Sequence, residues 1–381
     1  MYKYLILGFL LLPVLSFSQD KLNFQRADSL SYSYFQKGEW GKLKILLQQA
    51  FKEEIDSKFM RQRAGYAFFI TGDFTSARIQ YEKALEFDQA DEVTREYLYY
   101  AALNSGSEET RLLAENLPAS VATRLGVKRY NPIDRIDTEF NLKTNQTTTR
   151  SNQMYYRFGI SSEIGYRFSL YQAYAYYEQT INKELTKQPE YLVLLKYTLS
   201  PVFQAKAAYH HLASNAASIS YPGNLGFIGL SAQWRRFSLE ANTSLLKTTL
   251  ATTLQTGIQG GIVLPGKANL YLKSAVFGMY ESATYRTIFS ETAGLKCTGN
   301  LWAEGNLTIG NLKNYSTYNS LYVYNSVDPS IFRTGFSLVY FLGKHLSILG
   351  NFTFDQQKIE SSSVNNLYYQ YSYSGGLKWK L

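Results

Sequence analysis

The last residues of this chain alternate with a strict period of two. Tyr369, Tyr371, Tyr373, Gly375, Leu377, Trp379 and Leu381 fall on one parity, and Gln370, Ser372, Ser374, Gly376, Lys378 and Lys380 on the other. Side chains of a strand point to opposite faces in turn, so this segment is a strand with one aromatic, apolar face and one polar, cationic face. The same beat recurs from Arg135 onward, and the chain ends on it. A long succession of strands that are apolar on one side and polar on the other is the pattern of a transmembrane β-barrel, with lipid outside and a polar lumen inside.

Composition agrees with that reading. Aromatic residues reach 16%, with 33 Tyr and 23 Phe, as barrels with aromatic girdles require. Mean hydropathy is only −0.24, because every second strand residue faces the lumen. After residue 16 no apolar run is long enough to cross a bilayer as a helix. The single cysteine, Cys297, excludes an internal disulfide framework or a Cys-based zinc site. At the N-terminus, Lys3 precedes an apolar stretch from Tyr4 to Leu15, followed by Ser16-Phe17-Ser18. That is the form of a secretory signal peptide over 1–18, cleaved after Ser18 and with no lipoprotein cysteine behind it. Net charge is +9, unevenly spread. Residues 19–130 balance at 16 basic and 16 acidic, whereas 131–381 carry 22 basic and 14 acidic. For an exported chain this bias speaks for a mildly cationic pore or anionic headgroups, not nucleic acid.

Fourteen strand-length segments can be marked between 135 and 381, with twelve to sixteen bracketing the count. In the first, 135–144, Ile136, Thr138, Phe140 and Leu142 oppose Asp137, Glu139, Asn141 and Lys143. The second is read as 153–168, with Tyr156, Phe158, Ile160 and Ile164 against Arg157, Glu163 and Arg167. Connectors are expected to alternate: long at 145–152, 182–189, 212–223, 312–330 and 359–367, short at Ser169, Ser200 to Val202, Arg236, Pro265 to Ala268, Gly299-Asn300 and Lys344-His345. Long external loops and short periplasmic turns are the habit of outer-membrane barrels, so this expectation places the N-terminal domain in the periplasm. The expected lumen wall carries Glu139, Lys143, Arg157, Glu163, Arg167, Glu178, Lys196, Lys206, Glu240, Lys273, Lys296, Glu304, Arg333 and Asp355. Their mixed signs predict a salt-bridged interior, narrow or partly plugged, and the Tyr/Asn-rich 312–330 loop is a candidate to fold over the mouth.

Ahead of the barrel, residues repeat at 34. Gly38, Gly72 and Gly106 keep that interval, as do Tyr32, Tyr66 and Tyr100, the pair Phe35 and Phe69, and the pair Ala50 and Ala84. With Gly65, Phe68, Gly72, Ala77, Tyr81 and Ala84 in the middle unit, residues 24–125 resemble the tetratricopeptide repeat. The resemblance implies an α-solenoid of about three units across 19–118, with a concave groove presenting Tyr32, Tyr66 and Tyr100 and nearby Phe35 and Phe69. Those rings either pack between repeats or stack on a ligand, such as a polysaccharide or a periplasmic protein partner. Residues 119–134, bracketed by Pro118 and Pro132, read as a linker.

The expected fold class is therefore α plus transmembrane β, a short helical solenoid before an antiparallel outer-membrane barrel. Ser374, Gly376, Trp379 and Leu381 resemble the C-terminal signal read by the barrel-assembly machinery, which with outer-membrane lipid is an implied partner. His210, His211, Ser214 and Asn215 supply the residue types of a hydrolase, but local order in sequence is not the geometry such chemistry needs. No paired-His metal motif, phosphate loop or dinucleotide fingerprint is present, so no catalytic residue, metal or cofactor is assigned. The architecture resembles exopolysaccharide exporters of the PgaA and BcsC kind and the YaiO family of outer-membrane barrels. Both resemblances imply a non-enzymatic part in export or assembly of a surface polysaccharide. An anchored adaptor and a small-solute porin are the alternatives.

Overall fold

The computed structural model describes residues 22–107, 109–147, 150–216, 219–325, 328–359 and 367–381; the expected signal peptide lies outside them. Helices come first: α1 Phe24–Gln36, α2 Trp40–Lys52, α3 Lys58–Ile70, α4 Phe74–Phe87, α5 Glu92–Ser105, α6 Thr110–Ala114 and α7 Ala119–Arg124. The starts of α1, α3 and α5 keep the 34-residue interval, as do those of α2 and α4. Asn23, Ser57, Asp73 and Asp91 cap four of these helices, each accepting from the backbone N–H three residues on. Gly38, Gly72 and Gly106 hold positive φ (68°, 81° and 69°) at the turns, a conformation that costs glycine nothing. Ala27, Leu43, Leu47, Ala50, Met60, Ala64 and Ala67 form one buried cluster, and Ala77, Tyr81, Leu98 and Ala101 another.

Gly65 marks where α3 and α4 come closest. A Cβ there would lie 2.8 Å from the ring of Tyr81, which is 2% exposed and stacked on Tyr97. Alanine would gain about 0.5–1 kcal/mol of helix propensity but cost about 1–3 kcal/mol in overpacking. Gly65→Ala should therefore destabilise the helical region in a denaturant melt of the full chain. A melt that moves the other way would mean Tyr81 can shift.

The strands are β1 Tyr130–Asn145, β2 Gln153–Ile164, β3 Phe168–Ile181, β4 Glu184–Thr198, β5 Phe203–Ala216, β6 Ile219–Trp234, β7 Phe237–Thr248, β8 Thr252–Val263, β9 Tyr271–Glu281, β10 Thr284–Lys296, β11 Leu301–Ile309, β12 Tyr315–Thr317, β13 Tyr322–Tyr324, β14 Ser330–Leu342, β15 Leu346–Lys358 and β16 Leu367–Lys380. Fourteen of them close into one antiparallel barrel, each next to its neighbour in sequence, with β12 and β13 set aside as a separate pair. Closure is made by β1 on β16, in register from Arg135 opposite Lys380 to Asn145 opposite Gln370. The alternation sorts faces as the chain implies. Phe140, Tyr156, Phe158, Phe289, Phe336, Tyr373 and Leu377 are exposed on the outside, while Asp137, Glu139, Asn141 and Arg157 are buried within.

Five expectations need correction or refinement. Residues 153–168 are not one strand: Gly165, at φ 65°, turns the chain after Ile164, and Phe168 opens β3. The segments 182–189 and 212–223 are mostly strand, not long loops. Asn182 and Lys183 make a tight left-handed turn, and β5 and β6 run to Ala216 and from Ile219. These strands continue beyond the apolar band with polar residues such as Glu184 and Lys187, which read as loop in sequence. Residues 119–134 hold α7 and the first residues of β1, and 312–330 holds β12 and β13.

The helices sit on the barrel end that carries the start of β1 and the finish of β16, here the near end. Arg78 of α4 donates to the Arg235 carbonyl of the β6–β7 turn (2.5 Å) and pairs with Glu109 (2.5 Å). Arg236 donates to Ser76, and the Gly266 amide of the β8–β9 turn donates to Asp73 (3.0 Å). Arg111 reaches the Gly165 carbonyl and Glu163, and Arg167 pairs with Glu115 (3.0 Å). The helical region thus grips the turns of one arc of the mouth. Among the described residues, no hydrogen bond or ion pair ties it to the β14–β15 turn at 343–345.

Candidate functional site in the lumen

The chain between β11 and β14 turns inward. Gly310, at φ 133°, makes the bend, where a Cβ would meet the Thr287 carbonyl at 2.6 Å. Leu312 is fully buried against the inner wall with Met279 and Ile288. β12 and β13 then form a short hairpin inside the barrel, with Tyr318, Asn319 and Ser320 at positive φ as its tip. Tyr315 stacks on Tyr324 (5.9 Å, 9°) and packs edge-on to Phe277 of the wall.

Wall side chains pin this hairpin all round. The Gln255 amide pairs with the Ser316 backbone in both directions at 2.9 Å, as a neighbouring strand would. Tyr322 donates to Glu139 (2.5 Å), which also takes Arg157 (2.7 Å). Asn325 donates to Gln188 (2.7 Å), and Asn314 to Glu281 (3.1 Å). Nδ1 of His210 contacts the Ser320 carbonyl (2.7 Å), and its Nε2 lies 3.2 Å from Glu190. Behind the hairpin, Arg333 pairs with fully buried Asp355 (3.0 Å), and Arg150 with Asp328 (3.1 Å). Each neutral bond adds about 0.5–1.5 kcal/mol net, so the set together holds one position of the hairpin.

What remains of the lumen is a cavity of about 1420 Å³. Its lining runs from Arg135 and Lys378 at the near end to Thr248, Ala251 and Ser282 at the far end, and takes in the hairpin. Tyrosine is prominent in it, with Tyr155, Tyr171, Tyr177, Tyr271, Tyr318 and Tyr368 all contributing.

Of the expected lumen residues, Glu139, Lys143, Arg157, Lys196, Lys206, Lys273, Glu304 and Arg333 line this cavity, as does Glu240. Three lie at the near rim instead and serve the helical contact: Glu163 with Arg111, Arg167 with Glu115, and Lys296 over the ring of Phe74. Glu178 is placed differently. Tyr177 and Gln179 line the cavity, so Glu178 between them points outward, opposite Lys187 near the far end of β3. The β3 sequence has tyrosine on both faces, so aromatic parity did not reveal its orientation. The hairpin contacts of Gln255, Gln188 and His210 had no sequence signal beyond lumen parity. His210 and Ser214 do not form a catalytic pair: Ser214 donates to Gln188, and His211 faces outward against Asn224 (3.0 Å).

In the helical region, Phe35, Tyr66 and Phe69 pack in one half-buried row with Trp40 and Tyr97. Tyr66 touches Phe35 (5.4 Å), Trp40 (5.6 Å) and Tyr97 (5.8 Å), and Tyr100 joins through Phe69 (6.5 Å). Burial, with Tyr66 adjacent, raises the Tyr97 phenol above its ordinary pKa, and burial does the same more strongly for Tyr81. Tyr32 stands apart, exposed under the Arg63 guanidinium (5.3 Å).

No protein-family description matches the chain, and no curated protein does. Solved structures similar to it are outer-membrane proteins. The porin KdgM, solved with disordered oligogalacturonate, has 11% identity and a TM-score of 0.35 over 65% of this chain and 99% of its own. Omp33 of Acinetobacter baumannii has 11% identity and 0.38 over 66% and 100%. The Pseudomonas putida toluene transporter TodX has 6% and 0.46 over 65% and 89%. Likeness at this level concerns the fold alone. A closed barrel with an apolar outer face and a polar lumen is an outer-membrane β-barrel.

Proposed function

We propose that this protein is a narrow channel for polar solutes in the outer membrane, with the helical region on the periplasmic side and the inner hairpin as its constriction. The observation that carries this reading is the cavity itself, lined by charged, polar and aromatic residues from both ends of the barrel. A barrel serving only as an anchor has no need of a wet lumen narrowed by a folded hairpin. Reconstituted in planar bilayers, the full chain should open in discrete steps of conductance. A silent membrane at every voltage, with correctly folded barrel present, would leave the anchored adaptor standing instead.

A second reading, passage of saccharide, is favoured by the tyrosines of the lumen. Their rings offer apolar faces with a hydroxyl at the edge, a fit for sugar rings. The resemblance of the helical region to tetratricopeptide repeats and of the whole to polysaccharide exporters supports the same direction. In the same bilayers, added maltohexaose should interrupt the current if that reading holds.

A further inference from the structure

We infer that the outer wall of the barrel seats one acyl chain of a membrane lipid, in a hollow over the seam where β16 meets β1. The hollow has a volume of about 540 Å³, and its sides are formed by Phe140, Tyr156, Phe158, Tyr174, Ile348 and Leu377. Each of these side chains is 41–54% exposed, on the lipid-facing parity of its strand. Small residues give the hollow its depth. Gly350 of β15 stands opposite Gly375 of β16, and Thr138 of β1 stands opposite Leu377 one row closer to the near end. Toward the far end the hollow is bounded by Phe352 packed on Tyr373 (5.4 Å), and on the β1 side by Phe140 packed on Tyr156 (5.2 Å).

The backbone does not call for glycine at either position. Neither Gly350 nor Gly375 has positive φ, and the ladders on both sides of β16 keep their register through them without a bulge. A Cβ at either would meet nothing within 4 Å. Elsewhere in the wall a strand glycine makes room for a ring, as Gly159 does for Tyr171, Gly257 for Phe277 and Gly294 for Tyr271. Gly226 and Gly260 are bare as well, but Leu245 and Leu239 stand opposite them. Glycine weakens a strand, so a pair of them with neither a bulge nor a covering ring marks the close approach of another molecule.

Depth in the membrane decides what that molecule is. Thr138 and Phe140 stand near the middle of the β1–β16 ladder, which runs from Arg135 to Asn145, so the hollow opens into hydrocarbon. A second copy of the chain does not fill it, because a two-fold contact centred here sets hollow against hollow. A methylene chain conforms to the shape, and the fixed walls give it dispersion contacts that fluid neighbours do not. It would cover the stretch of the closing seam where Gly350 and Gly375 supply no side chain.

The test uses the full chain in vesicles of phosphatidylethanolamine and phosphatidylglycerol containing a phosphatidylcholine with a diazirine midway along one acyl chain. After irradiation, adducts should concentrate on the β1–β2 and β15–β16 peptides, roughly three- to fivefold above the opposite wall at the same depth, where Ile258 and Val276 face lipid. The double variant Gly350→Leu, Gly375→Leu should bring the two walls level, with heat-modifiable mobility reporting that the barrel still folds. Even labelling around the parent barrel overturns the inference, whether or not the variant folds. Labelling that stays concentrated in the filled variant overturns it too. So does a disulfide-linked dimer of Gly375→Cys in a Cys297→Ser background, which would give the hollow to a second copy. None of these outcomes touches the channel reading.

Discussion

Replacing residues 313–325 with a four-residue Gly–Ser link is expected to raise single-channel conductance roughly two- to fivefold, because a hairpin of two strands, about 5 Å apart and carrying side chains on both faces, fills much of a lumen this size. The barrel should survive the change. Gln255, Gln188, His210 and Glu139, which hold the hairpin, would face a wet lumen in which water replaces the lost partners. The cost is then the net value of a few hydrogen bonds, about 0.5–1.5 kcal/mol each, and not that of buried orphans. The strand ladders, from β1 on β16 round to β11 on β14, are untouched. Conductance equal to that of the parent would mean that the hairpin lies off the conducting path, and the constriction would have to be sought among Tyr155, Tyr171 and Arg157. A milder probe is Tyr322→Phe, which removes the donor to Glu139 and nothing else, and should increase current noise more than mean current.

The hairpin is also where sequence reasoning stopped short, for a physical reason. Strands in the wall are long enough for the two-residue beat to declare itself, and the lipid on one side makes every second residue apolar. That is why β1 sorts Phe140 from Glu139 on inspection. β12 and β13 have three residues each and meet both apolar and polar side chains of the wall, so Tyr315 to Thr317 and Tyr322 to Tyr324 carry no period to read. Strand ends beyond the apolar band mislead in the opposite sense. Glu184, Thr186 and Lys187 look like a loop yet continue the β3–β4 ladder. The contact of helices with barrel turns is invisible for a third reason. Arg78 and the carbonyl of Arg235 are 157 residues apart, and nothing local to either predicts the other. Helix starts, by contrast, follow from a cap residue and the 34-residue spacing, both of which are local.

That long-range contact gives the other large effect. The Arg78 side chain is 3% exposed and that of Glu109 7%, and the guanidinium also donates to Ser107 (3.1 Å) and to Arg235. Arg78→Ala would leave the Glu109 carboxylate buried without its counter-charge and free the Arg235 carbonyl at the same stroke. Removing one member of a buried pair costs about 3–5 kcal/mol, far above the value of the exposed pairs that also hold the domain, such as Arg167 with Glu115. The helical region should therefore loosen from the near end before the barrel is affected. Limited proteolysis in detergent would show this as rapid cutting within 24–124, while the barrel keeps its heat-modifiable mobility on a gel. Arg78→Lys should fall between, since a single ammonium cannot span Glu109 and the Arg235 carbonyl as the planar fork does. If Arg78→Ala resists the protease as the parent does, the grip must come from Asp73 on Gly266 and Arg111 on Gly165 instead, and the double variant with Asp73→Ala would then be the one to release it.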